Sequence, residues 1–196
     1  MKNAYALSYF KEVDEGLKNT VVTDADGKEM MLDEGLMRWI DKVAAAKDSG
    51  GLSFFCGNGA SCTMAEHMSH DWFQNAQINT QTCAETAHIT AISNDISYEN
   101  VFAYRIERIL SERDLLVTVS SSGNSPNIVK AIEAAKAKGA FVITFSGKGA
   151  DNKSRRLGDL NFYVPLSTYG LVESAHAVLL HAGLDAYLDE CMGGRH

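Results

Sequence analysis

"LLVTVSSSGNSPNIVKAIEAAK", residues 115–136, runs from an apolar segment through four serines, a glycine, an asparagine and a proline into a helical pattern. The first six residues read as a buried strand, and 125–138 as a helix with Pro126 in its first turn. The same pattern recurs on both sides. "GLSFFCGNGAS" gives a strand at 52–56 and a glycine turn before a helix at about 60–75. "AFVITFSG" (140–147) and "LNFYVP" (160–165) read as further strands, and 170–190 as the last strong helix. Short apolar strands alternating with helices of ten or more residues predict parallel βαβ units in a three-layer αβα sandwich, of the flavodoxin-like or Rossmann-like kind.

Two amphipathic stretches, 3–19 and 31–47, precede that core, and the second spaces Met31, Leu32, Leu36, Ile40 and Val43 along one helical face. "TVVTDADGKEM" between them carries an Asp-Gly turn. The expectation is one domain over 1–196, with an N-terminal helical segment at 1–47 and a parallel α/β core at 48–190.

Composition narrows the function classes. The 196 residues are 45% hydrophobic, enough for a buried core, and the net charge is −7 without a basic cluster. That weighs against nucleic acid, whose phosphate backbone needs a Lys/Arg face. It leaves room for a small anion held by backbone amides and hydroxyls. Cys56, Cys62, Cys83 and Cys191 form no CxxC pair, as expected of reduced thiols in the cytoplasm. "MKNAYALSYFKEVDEG" breaks its apolar run with charges, unlike a signal peptide, and no apolar stretch approaches the roughly 20 residues of a membrane span.

In open parallel sheets, ligands bind outside the carboxyl ends of the strands. Two such junctions are unusually equipped. "CGNGAS" offers Asn58 and Ser61; "SSSGNS" offers Ser120, Ser121, Ser122 and Ser125 around Gly123. One helix cap needs one hydroxyl, so four within six residues point to a phosphate cradle. Neither nucleotide fingerprint is met: "GNGAS" lacks the third glycine, and "SGKGA" at 146–150 lacks the hydroxyl after its lysine. Farther along, "AEHMSHDW" puts His67 and Asp71 four apart on one helix face, and "LVESAHAVLLHAG" puts Glu173 and His181 eight apart. The latter pair sits about 80° apart around its axis, with small Ala177 between. Such a set can bind a divalent metal or serve as general acid and base. His70, His88 and His176 read as surface or core histidines, and Cys62 as a packed thiol.

Together these segments resemble the sugar isomerase (SIS) domain family, and within it the phosphoheptose isomerases, over about residues 30–190. "FFCGNGAS", "AISNDISYENVF", "SSSGNSPNIVKAIEAAK" and "ESAHAVLLHAGLDAYLDE" carry the resemblance. It implies an aldose–ketose isomerase acting on a phosphorylated sugar, sedoheptulose 7-phosphate first, assembled as a homotetramer with active sites at subunit interfaces. It implies that Ser120, Ser121, Ser122 and Ser125 hold the phosphate, and that Asn58, Ser61 and Asp95 contact the sugar. His67, Asp71, Glu173 and His181 would hold one zinc ion per subunit, with Asp71 as general base and His181 as general acid. Three residues depart from the family pattern: Asp71 and Glu173 stand where glutamate and glutamine are usual, and an arginine is replaced near Asn75. Those departures keep two alternatives open: an isomerase of another sugar phosphate, and a non-catalytic sugar-phosphate-binding module.

Overall fold

Strands buried on both faces need helices above and below them, and that requirement organises the molecule. The computed structural model describes residues 4–194. In chain order its elements are α1 (Tyr5–Lys18), β1 (Val21–Asp24), β2 (Glu29–Met30), α2 (Leu32–Asp48), β3 (Ser53–Gly57), α3 (Ala60–Ala76) and β4 (Thr80–Gln81). There follow α4 (Thr86–Asp95), a 3₁₀ turn (Tyr98–Asn100), α5 (Ala103–Ile109), β5 (Leu115–Ser120), α6 (Pro126–Ala137), β6 (Phe141–Gly147), α7 (Lys153–Leu157), β7 (Leu160–Val164) and α8 (Tyr169–Met192).

The seven strands form one sheet in the order β2-β1-β7-β6-β5-β3-β4. From β4 to β7 every pairing is parallel. Successive residues of β5 face opposite layers: Leu115, Val117 and Val119 join the core under α2, α3 and α8, while Leu116 joins the core under α4, α5 and α6. The αβα sandwich expected from the sequence is the architecture observed.

The sheet departs from a purely parallel one at one edge. Residues 1–47 are not helices alone: β1 and β2 form a hairpin, and β1 pairs antiparallel with β7, Val22 opposite Phe162. Asp24 Oδ1 closes the turn by accepting from the amides of Asp26 and Lys28 at 3.0 and 2.9 Å. Aromatic packing fixes the helices over the sheet. The Trp39 ring lies 5.6 Å from Trp72 and 5.3 Å from Phe145, tying α2 to α3 and to β6. Trp72 in turn packs 5.3 Å from Tyr187, which sets α3 beside α8.

Candidate active site

Parallel strands β3 and β5 are neighbours, but the chain leaves them in opposite directions. β3 connects through α3, in one helical layer, to β4 at the sheet edge; β5 connects through α6, in the other layer, to β6 on the opposite side. This is a topological switch point, where the two outgoing loops separate and leave a crevice. A cleft of about 190 Å³ occupies it, lined by Asn58, Ser61, Ser120, Ser121, Ser122, Ser125 and Glu173, with Val119 and Tyr169. Every first-loop and serine-loop residue singled out from the sequence is therefore in one place.

The serines are not consumed as caps. Ser125 is the N-cap of α6, yet its side chain makes no capping hydrogen bond, and Pro126 follows it in the first turn. The helix end thus keeps the partial positive charge and amides that attract an anion. Behind the cleft, the loop is clamped. Gly123 accepts from the Ser154 amide at 2.9 Å, and Asn124 Oδ1 accepts from the Lys153 amide at 3.0 Å. On the opposite wall, Asn58 and the buried Asn127 form a reciprocal amide pair, both bonds 2.9 Å. Tyr98 Oη donates a third bond to Asn58 Oδ1 at 3.0 Å. Asn58 Oδ1 then holds two donors, so what its amide has left to offer a ligand is an N–H.

A second group sits farther along the two helices that border the cleft. His67 and Asp71 on α3 meet His181 on α8, and their ligand atoms all lie within 4.8 Å of one another. His67 Nε2 is 3.3 Å from His181 Nε2 and 3.2 Å from Asp71 Oδ2. Donors around a tetrahedral ion with bonds of 2.0–2.1 Å are separated by about 3.3–3.4 Å, so the donor types and these two spacings fit a divalent metal such as zinc. His181 strengthens that fit. Its Nδ1 lies 2.8 Å from the Ala177 carbonyl and donates to it, which leaves the Nε2 lone pair directed at the cluster.

Two expected residues fall elsewhere. Glu173 stays out of the three-residue cluster: it accepts from Ser121 Oγ at 3.5 Å and lines the cleft, two turns before His181 on α8. Asp95 ends α4, exposed, accepting from Asn94 Nδ2 at 2.9 Å, and is not among the cleft-lining residues. Its helix points its end toward the 3₁₀ turn, and it is Tyr98 from that turn that reaches Asn58.

Two other histidines and three cysteines are structural. His176 is fully buried and donates from Nε2 to the Ser146 carbonyl at 3.1 Å; burial lowers its pKa to about 4, so it is neutral at pH 7. His88 bonds the Val101 carbonyl at 2.8 Å. Burial raises Cys62, pushes Cys83 up to about 12 and holds Cys56 well above its usual range, so none of the three is a thiolate at neutral pH.

With this geometry established, the comparisons with known proteins are decisive for the family. The SIS domain model matches residues 8–147, most of the chain. The chain belongs to the SIS domain family. As an SIS-domain protein it is similar to the phosphoheptose isomerase of Burkholderia pseudomallei (strain K96243), 33% identical over 162 residues, covering 78% of this chain and 82% of that one. The phosphoheptose isomerase of Yersinia enterocolitica (serotype O:8, biotype 1B) is 35% identical over 145 residues, 71% of this chain and 75% of that one. Among solved structures, a phosphoheptose isomerase from Neisseria gonorrhoeae superposes with a TM-score of 0.81 at 24% identity, covering 95% of this chain and 99% of that one, a likeness of fold. Within the SIS-domain frame, sequence reasoning missed Tyr98, Asn127 and Tyr169. Asn127 alone left a local sign, a second amide just inside the helix that follows the serines.

Proposed function

We infer that this protein is a sugar-phosphate isomerase that interconverts sedoheptulose 7-phosphate and D-glycero-D-manno-heptose 7-phosphate. The observation that carries the reading is the pairing of an uncapped, hydroxyl-lined helix end with a His/Asp/His group on the adjoining helices. Ser61 lines the cleft and His67 lies six residues later on α3, about 9 Å along the axis. An extended phosphorylated sugar spans that length; a bare phosphate does not. Helical side chains tilt toward the N-terminus, and both helices begin at the cleft, so the cluster leans back toward the bound sugar.

The phosphate sits among Ser120, Ser121, Ser122 and Ser125, with the α6 N-terminus beneath it. Asn58 gives its free N–H to a sugar oxygen, and Glu173 accepts from the hydroxyls midway. Asp71 removes the C1 proton of the ketose, leaving an enediolate across C1 and C2, and returns a proton to C2. His181 moves the proton of the C1 hydroxyl to the C2 oxygen. The two transfers balance without any oxidant. His67, Asp71 and His181 would hold zinc, which supplies a Lewis acid for the developing charge on the two sugar oxygens.

The cluster is open to solvent in the single chain, the His67 side chain being 55% exposed. Exposed Phe73 on α3 and Val178 on α8 lie close to it in sequence, and Tyr5, Leu7 and Phe10 are exposed on α1. Apolar surface of that kind supports a homotetramer whose subunits cover one another's sites. The four unpaired cysteines suit a reducing cytoplasm, and among the described residues no helix is long and apolar enough to cross a membrane.

The test is to incubate the protein with a panel of ketose phosphates and follow aldose formation, before and after chelation. Sedoheptulose 7-phosphate should be converted, chelation should stop turnover, and added zinc should restore it. Failure to form an aldose from any member of the panel overturns the reading.

A further inference from the structure

The cleft has an electrostatic deficit. A sugar phosphate brings close to two negative charges, yet the lining residues include no cation and one carboxylate, Glu173. Hydroxyls and amides alone then face like-charge repulsion inside the site.

A residue whose backbone is strained offers a remedy. Lys148 adopts φ +58, in the left-handed region that side chains avoid. Among the described residues the other non-glycine residue with positive φ, Gln77, is the left-handed C-cap of α3, an ordinary helix ending. Lys148 ends no helix. It lies between Gly147 and Gly149, where a third glycine would relieve the strain. Instead the structure holds the lysine from both sides: its amide donates to the Leu166 carbonyl at 3.0 Å, and its carbonyl accepts from Tyr163 Oη at 2.9 Å. Strain kept in place by surrounding bonds is found where a side chain has a task.

Position and direction name the task. β5 and β6 pair in register, Ser120 beside Ser146, so the residues just past each strand end, the serine loop and Lys148, are side by side. Lys148 Nζ lies 3.8 Å from the centroid of the Tyr169 ring, and Tyr169 is a wall of the cleft. We propose that Lys148, carried over the face of Tyr169, is the cationic partner of the substrate's phosphate and offsets the charge of Glu173. The "SGKGA" segment thus serves the phosphate, though it is no Walker motif. The proposal rests on the sugar-phosphate reading of the cleft.

Three variants and three readouts test it. Lys148→Met keeps the stem and removes the charge; KM for the ketose phosphate should rise roughly 10- to 100-fold, with the effect on KM rather than on kcat. The dissociation constant of inorganic phosphate, titrated calorimetrically, should rise by a similar factor and lose much of its salt dependence. Lys148→Arg should recover most of the affinity. Lys148→Gly should melt no lower than the wild type, because the strain is gone, while binding as poorly as Lys148→Met. Unchanged KM and unchanged phosphate affinity in Lys148→Met overturn the assignment, as does a wild type that does not bind inorganic phosphate. A wild type that binds phosphate but turns over no ketose phosphate overturns the isomerase reading alone, and Lys148 is then judged on the phosphate titration.

Discussion

Asp71→Asn should lower kcat for the ketose phosphate roughly 10³-fold while leaving sugar-phosphate affinity within a few-fold of the wild type. The substitution is nearly isosteric and removes the one property the mechanism needs, a carboxylate that takes a proton from carbon. Binding survives because the phosphate is anchored in the serine cleft, which Asp71 does not line. Because Asp71 Oδ2 lies 3.2 Å from His67 Nε2, the amide also weakens the metal-binding set. Zinc content, measured on the same preparation, separates the two losses. A variant that retains zinc and loses turnover assigns the base to Asp71; near-normal turnover removes Asp71 from that role. Asp71→Glu restores a base one methylene longer and should keep turnover within about 10²-fold, since a misplacement of about 1 Å can cost that much.

Gly123→Ala should have the second large effect, through the shape of the serine loop. Gly123 has φ +62, and an added Cβ would lie 2.1 Å from Asn152 Oδ1. Asn152 cannot retreat. It is 1% exposed, accepts from the Arg155 amide at 3.0 Å, and donates to Ser146 Oγ and the Gly149 carbonyl at 3.2 and 2.9 Å. The left-handed conformation costs about 1–2 kcal/mol for a residue with a side chain, and overpacking a buried site about 1–3 more. The melting temperature should fall by roughly 4–20 °C, and KM should rise about 100-fold as the loop shifts away from the α6 N-terminus. Adding Asn152→Gly, which removes the clashing atoms, should recover part of the affinity in a double-mutant cycle. An alanine variant with unaltered melting and KM would show that Asn152 does not fix the loop.

What the sequence made legible was what adjacent residues encode. The serine loop and the His67/Asp71 spacing are local, because a strand–turn–helix junction and an i,i+4 pair each fit within a few residues. The β1–β2 hairpin left only its Asp-Gly turn to read, because strands of four and two residues are too short to show a period, and the pairing of Val22 with Phe162 spans most of the chain. Tyr98 and Asn127 escaped notice, and Lys148 showed only as the lysine of an incomplete Walker segment, for a related reason. Each acts on a residue far away in sequence or through an unusual backbone angle, and no spacing rule reports either. Glu173 and His181 were read as one face of α8, and they are, but the helix is long enough that one reaches the cleft and the other the cluster. Asp95 shows the converse limit: its placement beside the sugar came from resemblance, and its position at the exposed end of α4 is set by tertiary packing.

The most direct measurement is a crystal structure of the Asp71→Asn variant soaked with sedoheptulose 7-phosphate, which the slowed chemistry should trap. The account predicts phosphorus among Ser120, Ser121, Ser122 and Ser125 at the head of α6, with C1 and C2 within hydrogen-bond reach of position 71 and His181. A phosphate seated elsewhere, for example against Arg155 and Arg156 beside the β1–β2 turn, or a sugar chain directed away from α3 and α8, would contradict it.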